Sequence, residues 1–283
     1  MPPRSKWSLL GIPDHQAVTH VCGRIGAARG PRVFRRIFGA LKGRDGVHET
    51  CQDFGDAGPI GPDVAENHQL AAALLARAHG AVSGVSVVVG GAHDHGFSQL
   101  KGIRDFDVKK TLGCLNIDAH LDVRKPAPLI TSGSPFYLAL ESGVLDPSRF
   151  VEFGIQTHCN GPELWDYVES HKISVVPFAR LRDGGAPAAF RQALIALSAV
   201  SDRVVISLDL DAAAQAYAPG VSAPQAEGFS SREIVEFCEI AGAEPRVVSL
   251  GLFELNPEHD IDDRTARLAA TCAYHFVAAA LKR

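Results

Sequence analysis

Short apolar runs alternate with longer helical patterns along this chain, and this alternation is the feature that most constrains its fold. The runs are short and rich in β-branched residues, as is typical of strands buried on both faces. They lie at residues 7–12, 85–89, 112–115, 150–155, 174–176, 204–208 and 247–252. The helical patterns lie at residues 23–41, 67–78, 135–142, 162–171, 187–200, 231–241 and 264–281. This order predicts an α/β fold, with a largely parallel sheet covered on both faces by helices.

The length and composition fit one large domain. The chain has 283 residues, of which 46% are apolar and 21% charged, so it can bury a large core. No linker, repeat or low-complexity segment interrupts it, and we expect residues 1–283 to form a single catalytic domain. The Gly- and Pro-rich residues 53–62 predict a loop. Asn67 is the expected cap of the helix that follows.

Charge and cysteine usage argue against several classes of protein. The net charge is -4 and no Lys/Arg block occurs, which argues against nucleic acid as the main partner. No uninterrupted run of about 18 apolar residues and no signal-peptide pattern is present, so we expect a soluble, cytoplasmic protein. The scattered cysteines form no CxxC pair and are expected to be free thiols. They are Cys22, Cys51, Cys114, Cys159, Cys238 and Cys272.

The segment after the apolar run at 112–115 carries three side chains that can bind metal. It reads NIDAHLD at 116–122. If the segment stays extended, Asp118, His120 and Asp122 point to one face, because side chains alternate along a strand. The alternative is that the aspartates are turn or helix-capping residues and the histidine is a satisfied polar residue beside them. This segment alone leaves both alternatives open.

Three other predicted strands also end in polar side chains. His93 follows the run at 85–89, behind a glycine pair that allows close backbone approach. Asp209 and Asp211 follow the run at 204–208, and Glu254 follows the run at 247–252. Each alone could be a cap or a solvated loop charge. Because chemistry in parallel sheets sits beyond the carboxyl ends of the strands, the four ends together predict one site.

The charge of this predicted site indicates what it holds. Four aspartates in one cleft would repel strongly unless they were compensated. Two divalent cations would supply that compensation, and oxygen-rich ligation with two imidazoles and no thiolate favours Mn²⁺, although Fe²⁺, Co²⁺ or Ni²⁺ could occupy the same ligands. Two ions about 3.5 to 4 Å apart can activate a shared water near neutral pH. These features are typical of a hydrolase.

The motifs at the strand ends resemble those of the ureohydrolase family, which contains arginases, agmatinases and formimidoylglutamases. They are GGAH at 90–93, DAHLD at 118–122, and SLDLD at 207–211 continuing to APGVSAP at 218–224. The resemblance implies a three-layer αβα arginase-like fold with a mainly parallel sheet, and two Mn²⁺ per subunit. By motif position it implies one ion held by His93, Asp118, Asp122 and Asp209, and a second held by Asp118, His120, Asp209 and Asp211.

Departures from the family pattern indicate the subfamily. Arginases and agmatinases carry a histidine thought to assist proton transfer in the loop after the second motif. Here that loop reads SGSPF at 132–136, which places Phe136 at the histidine position. This loop, DVR at 122–124 and FGIQ at 153–156 are similar to formimidoylglutamases, and AAA at 212–214 replaces a further Asp-Pro usual in guanidine-cleaving relatives. The implied reaction is hydrolysis of N-formimidoyl-L-glutamate to L-glutamate and formamide, a step of histidine degradation.

Several residues have expected roles in that reaction. Asp211 would steer a proton of the attacking hydroxide, and Glu254 would pair with the cationic amidinium of the substrate. Arg124 would clamp a substrate carboxylate, although it could instead be a solvated loop arginine. Gln156 and Asn160 would add polar contacts to substrate. His95 and His158 are left out of the catalytic set, because a lone loop histidine is more often a surface or supporting residue.

Two other functional classes remain open at this stage. A guanidine-cleaving ureohydrolase of the agmatinase, guanidinobutyrase or arginase type would use the same metals and release urea, but the histidine replaced by Phe136 counts against it. A non-catalytic member could keep only the fold, but the complete ligand set counts against that. The expected partner is a small-molecule amidine. The resemblance also implies a homo-oligomer, a trimer or hexamer.

Overall fold

One eight-stranded sheet runs through the residues that the computed structural model describes, which are 5–43, 45–182 and 184–283. The strands are β1 (Trp7–Gly11), β2 (Cys51–Asp56), β3 (Val85–Val89), β4 (Leu112–Ile117), β5 (Phe150–Ile155), β6 (Ser174–Pro177), β7 (Arg203–Asp209) and β8 (Val247–Phe253). Their order is β2-β1-β3-β8-β7-β4-β5-β6, and every neighbouring pair is parallel. The predicted parallel sheet is confirmed.

Nine helices connect these strands in the described ranges. They are α1 (Gln16–Thr19), α2 (Gly30–Phe38), α3 (Val64–Ala81), α4 (Gly96–Phe106), α5 (Pro135–Glu141), α6 (Pro162–Ser170), α7 (Ala186–Ala199), α8 (Ser231–Ala243) and α9 (Arg264–Ala280). The last five agree with the sequence patterns to within two residues at each end. The pattern at 23–41 is too long, because regular α-helix begins only at Gly30. Helix α4 was not predicted, since Gly102 and Gln99 interrupt its apolar period.

The cap of α3 differs from the prediction. Asp63 is the N-cap, and its carboxylate accepts hydrogen bonds from the backbone N–H groups of Ala65 and Glu66. Asn67 lies within the helix, and its side chain bonds instead to Gly61 and Asp14. An aspartate four residues earlier therefore satisfies the open helix end, which is the usual use of this residue type.

Helices cover both faces of the sheet and give it three layers. One hydrophobic core joins the sheet to α2, α7, α8 and α9, and the other joins it to α3, α4, α5 and α6. Strand β3 shows the reason: Val85, Val87 and Val89 enter the first core, whereas Val88 enters the second. A strand whose two faces are both apolar can be stabilised only by packing on each side. The predicted αβα layering is confirmed.

The edge strand β2 corrects the prediction of a loop at residues 53–62. Residues 53–56 pair with β1, while residues 57–62 lie outside regular elements. The side chain of Arg35 holds this edge, with Nε 2.7 Å from Asp53 Oδ2 and Nη1 2.5 Å from Asp56 Oδ1. An edge strand is half exposed and lacks the apolar run of an interior strand, so only pairing with β1 reveals it.

The carboxyl ends of β3, β4, β7 and β8 meet near the middle of the sheet, where these strands are neighbours in the order β3-β8-β7-β4. The candidate residues therefore share one edge of the sheet. No helix within the described ranges combines the length and apolar character needed to cross a membrane. The six cysteines are free thiols, as expected.

Candidate metal centre

The turn after β3 presents His93. Its glycines let the chain pass close to the neighbouring backbone, since a Cβ on Gly91 would lie 1.5 Å from the carbonyl oxygen of Asp14. His93 is buried, and its Nε2 lies 2.8 Å from the hydroxyl of Ser207. This contact leaves Nδ1 to face the carboxylates of the site. A hydrogen bond on one ring nitrogen is a common way to orient the other toward a metal.

The segment after β4 does not stay extended, because the strand ends at Ile117. The extended conformation considered for residues 116–122 is therefore wrong beyond that residue. The N–H of His120 donates to Asp118 Oδ1 at 2.7 Å, and Asp122 has a φ of 47°, in the left-handed region. The turn nevertheless brings the three side chains together. Local hydrogen bonds, and not strand alternation, therefore bring the carboxylate, imidazole and carboxylate to one place.

A similar turn follows β7. Asp209 is the last strand residue, and the N–H of Asp211 donates to Asp209 Oδ1 at 2.8 Å. Residues Leu210–Ala212 form a short 3₁₀ turn. The chain is therefore not extended through Asp211, because the Asp209 side chain caps this turn. Both aspartates are still buried beside the same pocket.

The polar side chains form two groups that could each hold a metal ion. In the first, His93 Nδ1 lies 3.0 Å from Asp118 Oδ2, 2.9 Å from Asp122 Oδ2 and 3.1 Å from Asp209 Oδ2. In the second, His120 Nδ1 lies 3.1 Å from Asp211 Oδ2 and 3.5 Å from Asp118 Oδ1. Asp118 belongs to both groups. The implied sharing of Asp209 by both ions stays a prediction.

Burial and mutual repulsion raise the pKa of most carboxyl groups in this cluster. Burial and the neighbouring Asp211 and Asp118 hold the pKa of Asp209 well above its usual range. Burial and the charge of Asp118 raise the pKa of Asp122, and burial is the main cause that raises the pKa of Asp211 to about 7. Asp118 is the exception: although burial opposes it, the close imidazoles of His120 and His93 lower its pKa.

These surroundings fit bound cations. Two imidazoles and four carboxylates offer nitrogen and hard oxygen donors, the set that divalent first-row metals take. His93 Nδ1 and Asp211 Oδ1 are buried without a hydrogen-bond partner in the described part of the chain. Unpartnered buried donors and acceptors are costly, and positive charge between the carboxylates would satisfy them.

Glu254 differs from the aspartates. It has a φ of 63°, and its Oε1 accepts a hydrogen bond from the N–H of His93 at 2.9 Å. Its Oε2 is buried and has no hydrogen-bond partner among the described residues. Burial and the charge of Asp209 raise its pKa well above the usual range. One oxygen thus fixes the carboxyl group, and Glu254 is one of the residues that line the cavity described next.

A cavity of about 210 Å³ opens over both groups. Its walls come from seven separate parts of the chain and include both candidate histidines, Glu254 and Arg124. The lining residues are Val21, Gly23, His93, His120, Asp122, Arg124, Ser132, Gly133, Asp209, Asp211, Ser222, Ala223 and Glu254. A larger groove of about 690 Å³ beside α8 and α9 is lined partly by arginine and glutamate and holds none of these clustered side chains, so the smaller cavity is the candidate site.

The predicted substrate residues take different positions. Arg124 is exposed, lines the cavity, and places Nη1 3.4 Å from the hydroxyl of Thr131. Gln156 and Asn160 do not line the cavity. Gln156 donates to the carbonyl of Glu227, and Asn160 bonds to the backbone of the turn after β4. This bonding favours support of the turn, and contact of these two residues with substrate stays a prediction.

The two excluded histidines lie outside both groups. His158 is exposed, whereas His95 is fully buried and bonds to Ser98 and Asp14. His95 is thus a supporting residue of the interior and not a surface one. The sequence alone did not distinguish these two positions, because both histidines follow a strand in a short loop.

Sequence reasoning missed three polar groups behind the site. Ser207 orients His93, and the amide of Asn116 donates to Glu152 at 2.9 Å and to Asp118 at 3.3 Å. Both acceptors are fully buried, and burial raises the pKa of Glu152 well above its usual range. A signal was present, because a glutamate within the otherwise apolar run FVEFGI is unusual for a buried strand. The part of the wall formed by Val21 and Gly23 had no such signal.

Phe136 fills the position expected for a proton-transferring histidine. Its side chain is fully buried, with the ring centroid 5.6 Å from that of His93 and 4.7 Å from that of Phe150. An apolar ring packed in the core cannot transfer a proton. Residue 136 therefore cannot take the proton-transfer role that the family pattern gives to a histidine at this position.

Comparisons with known proteins agree with this geometry. A model described as the arginase family matches residues 5–279. The formimidoylglutamase of Staphylococcus carnosus is 31% identical over 275 residues, which cover 95% of this chain and 85% of that protein. A formimidoylglutamase of Staphylococcus aureus is 30% identical over 271 residues, with the same coverage of both chains.

Solved structures share the fold. A formiminoglutamase of Trypanosoma cruzi, crystallised with Mn²⁺, has a TM-score of 0.88 and 28% identity, and the match covers 99% of this chain and 94% of that one. The formimidoylglutamase of Bacillus subtilis has a TM-score of 0.89 at 23% identity, over 99% and 88% of the two chains. The predicted arginase-like fold is confirmed.

Proposed function

The chain belongs to the arginase family, and from this premise we propose that it hydrolyses the amidine C–N bond of N-formimidoyl-L-glutamate to give L-glutamate and formamide. The observation that carries the proposal is the pair of His/Asp groups under one cavity, in a chain about 30% identical to formimidoylglutamases over 95% of its length. Phe136 disfavours the alternative, urea release from a guanidine, because it replaces the proton-transferring histidine of the relatives that catalyse it.

The proposed cofactor is a pair of Mn²⁺ ions. His93, Asp118, Asp122 and Asp209 would hold one ion, and Asp118, His120, Asp209 and Asp211 the other. When bound, such a pair supplies positive charge and a water activated near neutral pH. The support is the donor chemistry and the convergence of these atoms within the two groups.

The carboxyl groups around the cavity have distinct proposed roles. Glu254 would accept hydrogen bonds from the amidinium N–H groups through Oε2, while the N–H of His93 keeps Oε1 in place. This contact would hold the reacting carbon over the metal groups, which lowers the entropy lost in reaching the transition state. Asp211 would steer a proton of the attacking nucleophile, because it lines the cavity next to His120.

Arg124 is the proposed site for a substrate carboxylate. Its guanidinium lines the cavity two residues beyond Asp122 and forms no ion pair with a carboxylate of the described residues. A substrate with two carboxylates would otherwise enter a site already rich in negative charge. A charge-assisted contact with arginine offsets this repulsion and orients the glutamyl portion.

Three broader statements also belong to the proposal. Residues 1–283 would act as one catalytic domain, the chain would form a homo-oligomer, and the enzyme would act in the cytoplasm. Support for the first is the single sheet shared by the site residues. Light scattering coupled to size-exclusion chromatography measures the oligomeric state, and cell fractionation tests the cytoplasmic location.

The decisive experiment measures substrate choice in wild type and in Arg124→Ala. Formamide is assayed from N-formimidoyl-L-glutamate, and urea from arginine, agmatine and guanidinobutyrate. We expect formamide release by wild type, and a loss in kcat/KM of about ten- to a hundredfold in Arg124→Ala, since one charge-assisted contact contributes about 1.5 to 3 kcal/mol. Metal content should stay unchanged.

The control is Arg191→Ala, which removes an exposed arginine of α7 far along the chain from the cavity residues. It should keep wild-type kcat/KM. Efficient urea release by wild type, with no formamide detected, would overturn the proposed substrate but not the metal chemistry. An equal loss in both arginine variants would remove Arg124 from the binding site.

A further inference from the structure

A second group of buried histidine and aspartate side chains lies behind the turn of His93. The ligand atoms of His68 of α3, Asp94 and His95 lie within 4.8 Å of one another, and Asp14 bonds to His95 beside them. These four residues are called the inner cluster below. Each of the four is at most 2% exposed. The inner cluster shares no residue with the two groups under the cavity. The proposed reaction therefore leaves these four side chains without a role.

The distances within the inner cluster are close to those around a single ion. His68 Nε2 lies 2.7 Å from Asp94 Oδ2, and His95 Nε2 lies 3.1 Å from Asp14 Oδ2 and 4.0 Å from Asp94 Oδ2. Ligand atoms bound tetrahedrally to Zn²⁺ at about 2.0 to 2.1 Å are about 3.3 to 3.5 Å apart. The observed separations bracket this value, so a shift of less than about 1 Å would bring them to it.

Neighbouring groups orient the cluster atoms. Ser98 Oγ lies 2.8 Å from His95 Nδ1, which turns Nε2 toward the aspartates. The side-chain amide of Asn67 donates to Asp14 Oδ2, and the N–H of Gln16 donates to Asp14 Oδ1, each at 2.8 Å. Supporting bonds of this kind fix the tautomer and direction of metal-binding side chains.

Among the described residues, Asp94 is the carboxylate of the inner cluster with an oxygen that accepts no hydrogen bond. In the described part of the chain, Asp14 and Asp94 form ion-pair contacts with the imidazoles of His68 and His95 alone. Asp94 Oδ1 is buried without a hydrogen-bond partner within the described ranges. Such a group is costly unless a cation binds it.

We propose that the inner cluster binds one Zn²⁺ ion, as a third metal site separate from the catalytic pair. The imidazole nitrogens of His68 and His95 and a carboxylate oxygen of Asp94 form a three-ligand set, and Asp14 beside His95 offers a fourth oxygen, which together suit this ion. The ion links the segment before α1, helix α3 and the turn that presents His93. It thereby fixes one wall of the catalytic cavity without contacting substrate.

The experiment counts bound ions in full-length protein. Asp118→Ala/Asp209→Ala removes two residues of the first group under the cavity, and Zn²⁺ alone is titrated into this double variant, after chelation, against a chromophoric chelator. We expect one Zn²⁺ per chain. Adding His68→Gln should abolish that site, and adding Asp14→Asn, which conserves shape, should weaken it strongly. Zn²⁺ should also raise the Tm of the double variant but not that of the triple variant with His68→Gln.

The matched control is His79→Gln in the same double variant. His79 is another buried histidine of α3 and bonds to Ser86, so this change should keep one Zn²⁺ per chain. Wild type saturated with Mn²⁺ and then Zn²⁺ should hold three ions, and His68→Gln two. A count of two in wild type, no Zn²⁺ in the double variant, or an unchanged count after His68→Gln would overturn the proposal. Failure of the catalytic pair is distinguishable, because wild type and the double variant would then hold equal numbers of ions.

Discussion

Asp118 and Glu254 both carry buried carboxyl groups near the cavity, but the two groups make different contacts. Asp118 lies in both metal groups, and the close imidazoles of His120 and His93 lower its pKa. Glu254 is held by one backbone N–H, and its other oxygen has no partner in the described residues. The same functional group thus lies in both His/Asp groups in one place and outside them in the other.

Glu254→Gln tests this difference. The variant should keep both ions, because Glu254 lies outside both His/Asp groups and its proposed contact is with substrate. It should lower kcat about ten- to a hundredfold, since a neutral amide replaces a charge-assisted contact with the amidinium. Metal analysis and steady-state kinetics measure the two effects. Loss of an ion in the variant would instead make Glu254 a ligand or a structural support.

His79 gives the protein a pH dependence that is independent of the metals. Burial lowers its pKa from 6.5 to about 4, so the folded state favours the neutral ring. Its contribution to the free energy of unfolding is fully present above about pH 6.5. Because the unfolded chain takes up a proton first, that contribution is lost as pH falls toward 4, by on the order of 3 kcal/mol.

Urea unfolding of wild type and His79→Gln across this pH range measures the effect. The variant cannot be protonated at this position and should show a shallower loss of stability between pH 6.5 and 4. His171→Gln, at an exposed position, should follow wild type. Parallel profiles for wild type and His79→Gln would refute the assignment.

At the scale of secondary-structure elements, the turn after β4 depends on a side chain from a neighbouring loop. The N–H of Leu121 donates to Asn160 Oδ1 at 2.8 Å, and Asn160 Nδ2 donates to the carbonyl of Ala119 at 3.1 Å. Asp118, His120 and Asp122 alternate with these anchored residues. The position of three candidate ligands is therefore fixed partly by one amide.

Asn160→Ala should loosen this turn. We expect metal affinity to fall about 10- to 100-fold, and the free energy of unfolding to fall by about 1 to 3 kcal/mol, because buried backbone groups lose their partners. Asn160→Asp keeps the oxygen that accepts from the N–H of Leu121. Its metal affinity and free energy of unfolding should therefore lie between those of wild type and Asn160→Ala. Metal titration and KM separate the roles: a raised KM with unchanged metal affinity would favour the predicted substrate contact instead.

At the scale of the whole molecule, the sheet order brings the site together. Strands β3, β8, β7 and β4 are neighbours, although residues 89 and 247 lie far apart in sequence. Their parallel direction places every candidate ligand at one edge. Bringing so many carboxylates together opposes folding, and bound cations would offset that repulsion.

Removal of the ions should therefore lower stability as well as activity. We expect chelation to abolish turnover and lower Tm by about 5 °C or more, since an ion at a hundred times its Kd stabilises the folded state by about 2.7 kcal/mol. Added Mn²⁺ should restore both. Differential scanning calorimetry with and without chelator measures the change. An unchanged Tm would show that the two His/Asp groups under the cavity do not need cations for the protein to fold.

The amino-acid sequence by itself determined the interior strands, the last five helices and the residue types at the strand ends. These are local properties: β-branched runs favour strands, apolar periodicity favours helices, and parallel strands carry their chemistry at one end. The family motifs added the αβα fold, which the comparisons confirm. The candidate ligands were identified in the same way, since each stands directly after a strand.

Only the tertiary structure decided the features that depend on partners distant in sequence. Cys51–Asp56 is a strand because β1 offers it backbone partners, and Asp122 turns toward His93 through a left-handed conformation that alternation did not predict. The bonds of Asn160 to the turn after β4 and the inner cluster likewise join segments far apart along the chain. Local propensity is silent about such contacts, because their free energy arises only when long-range packing brings the partners together.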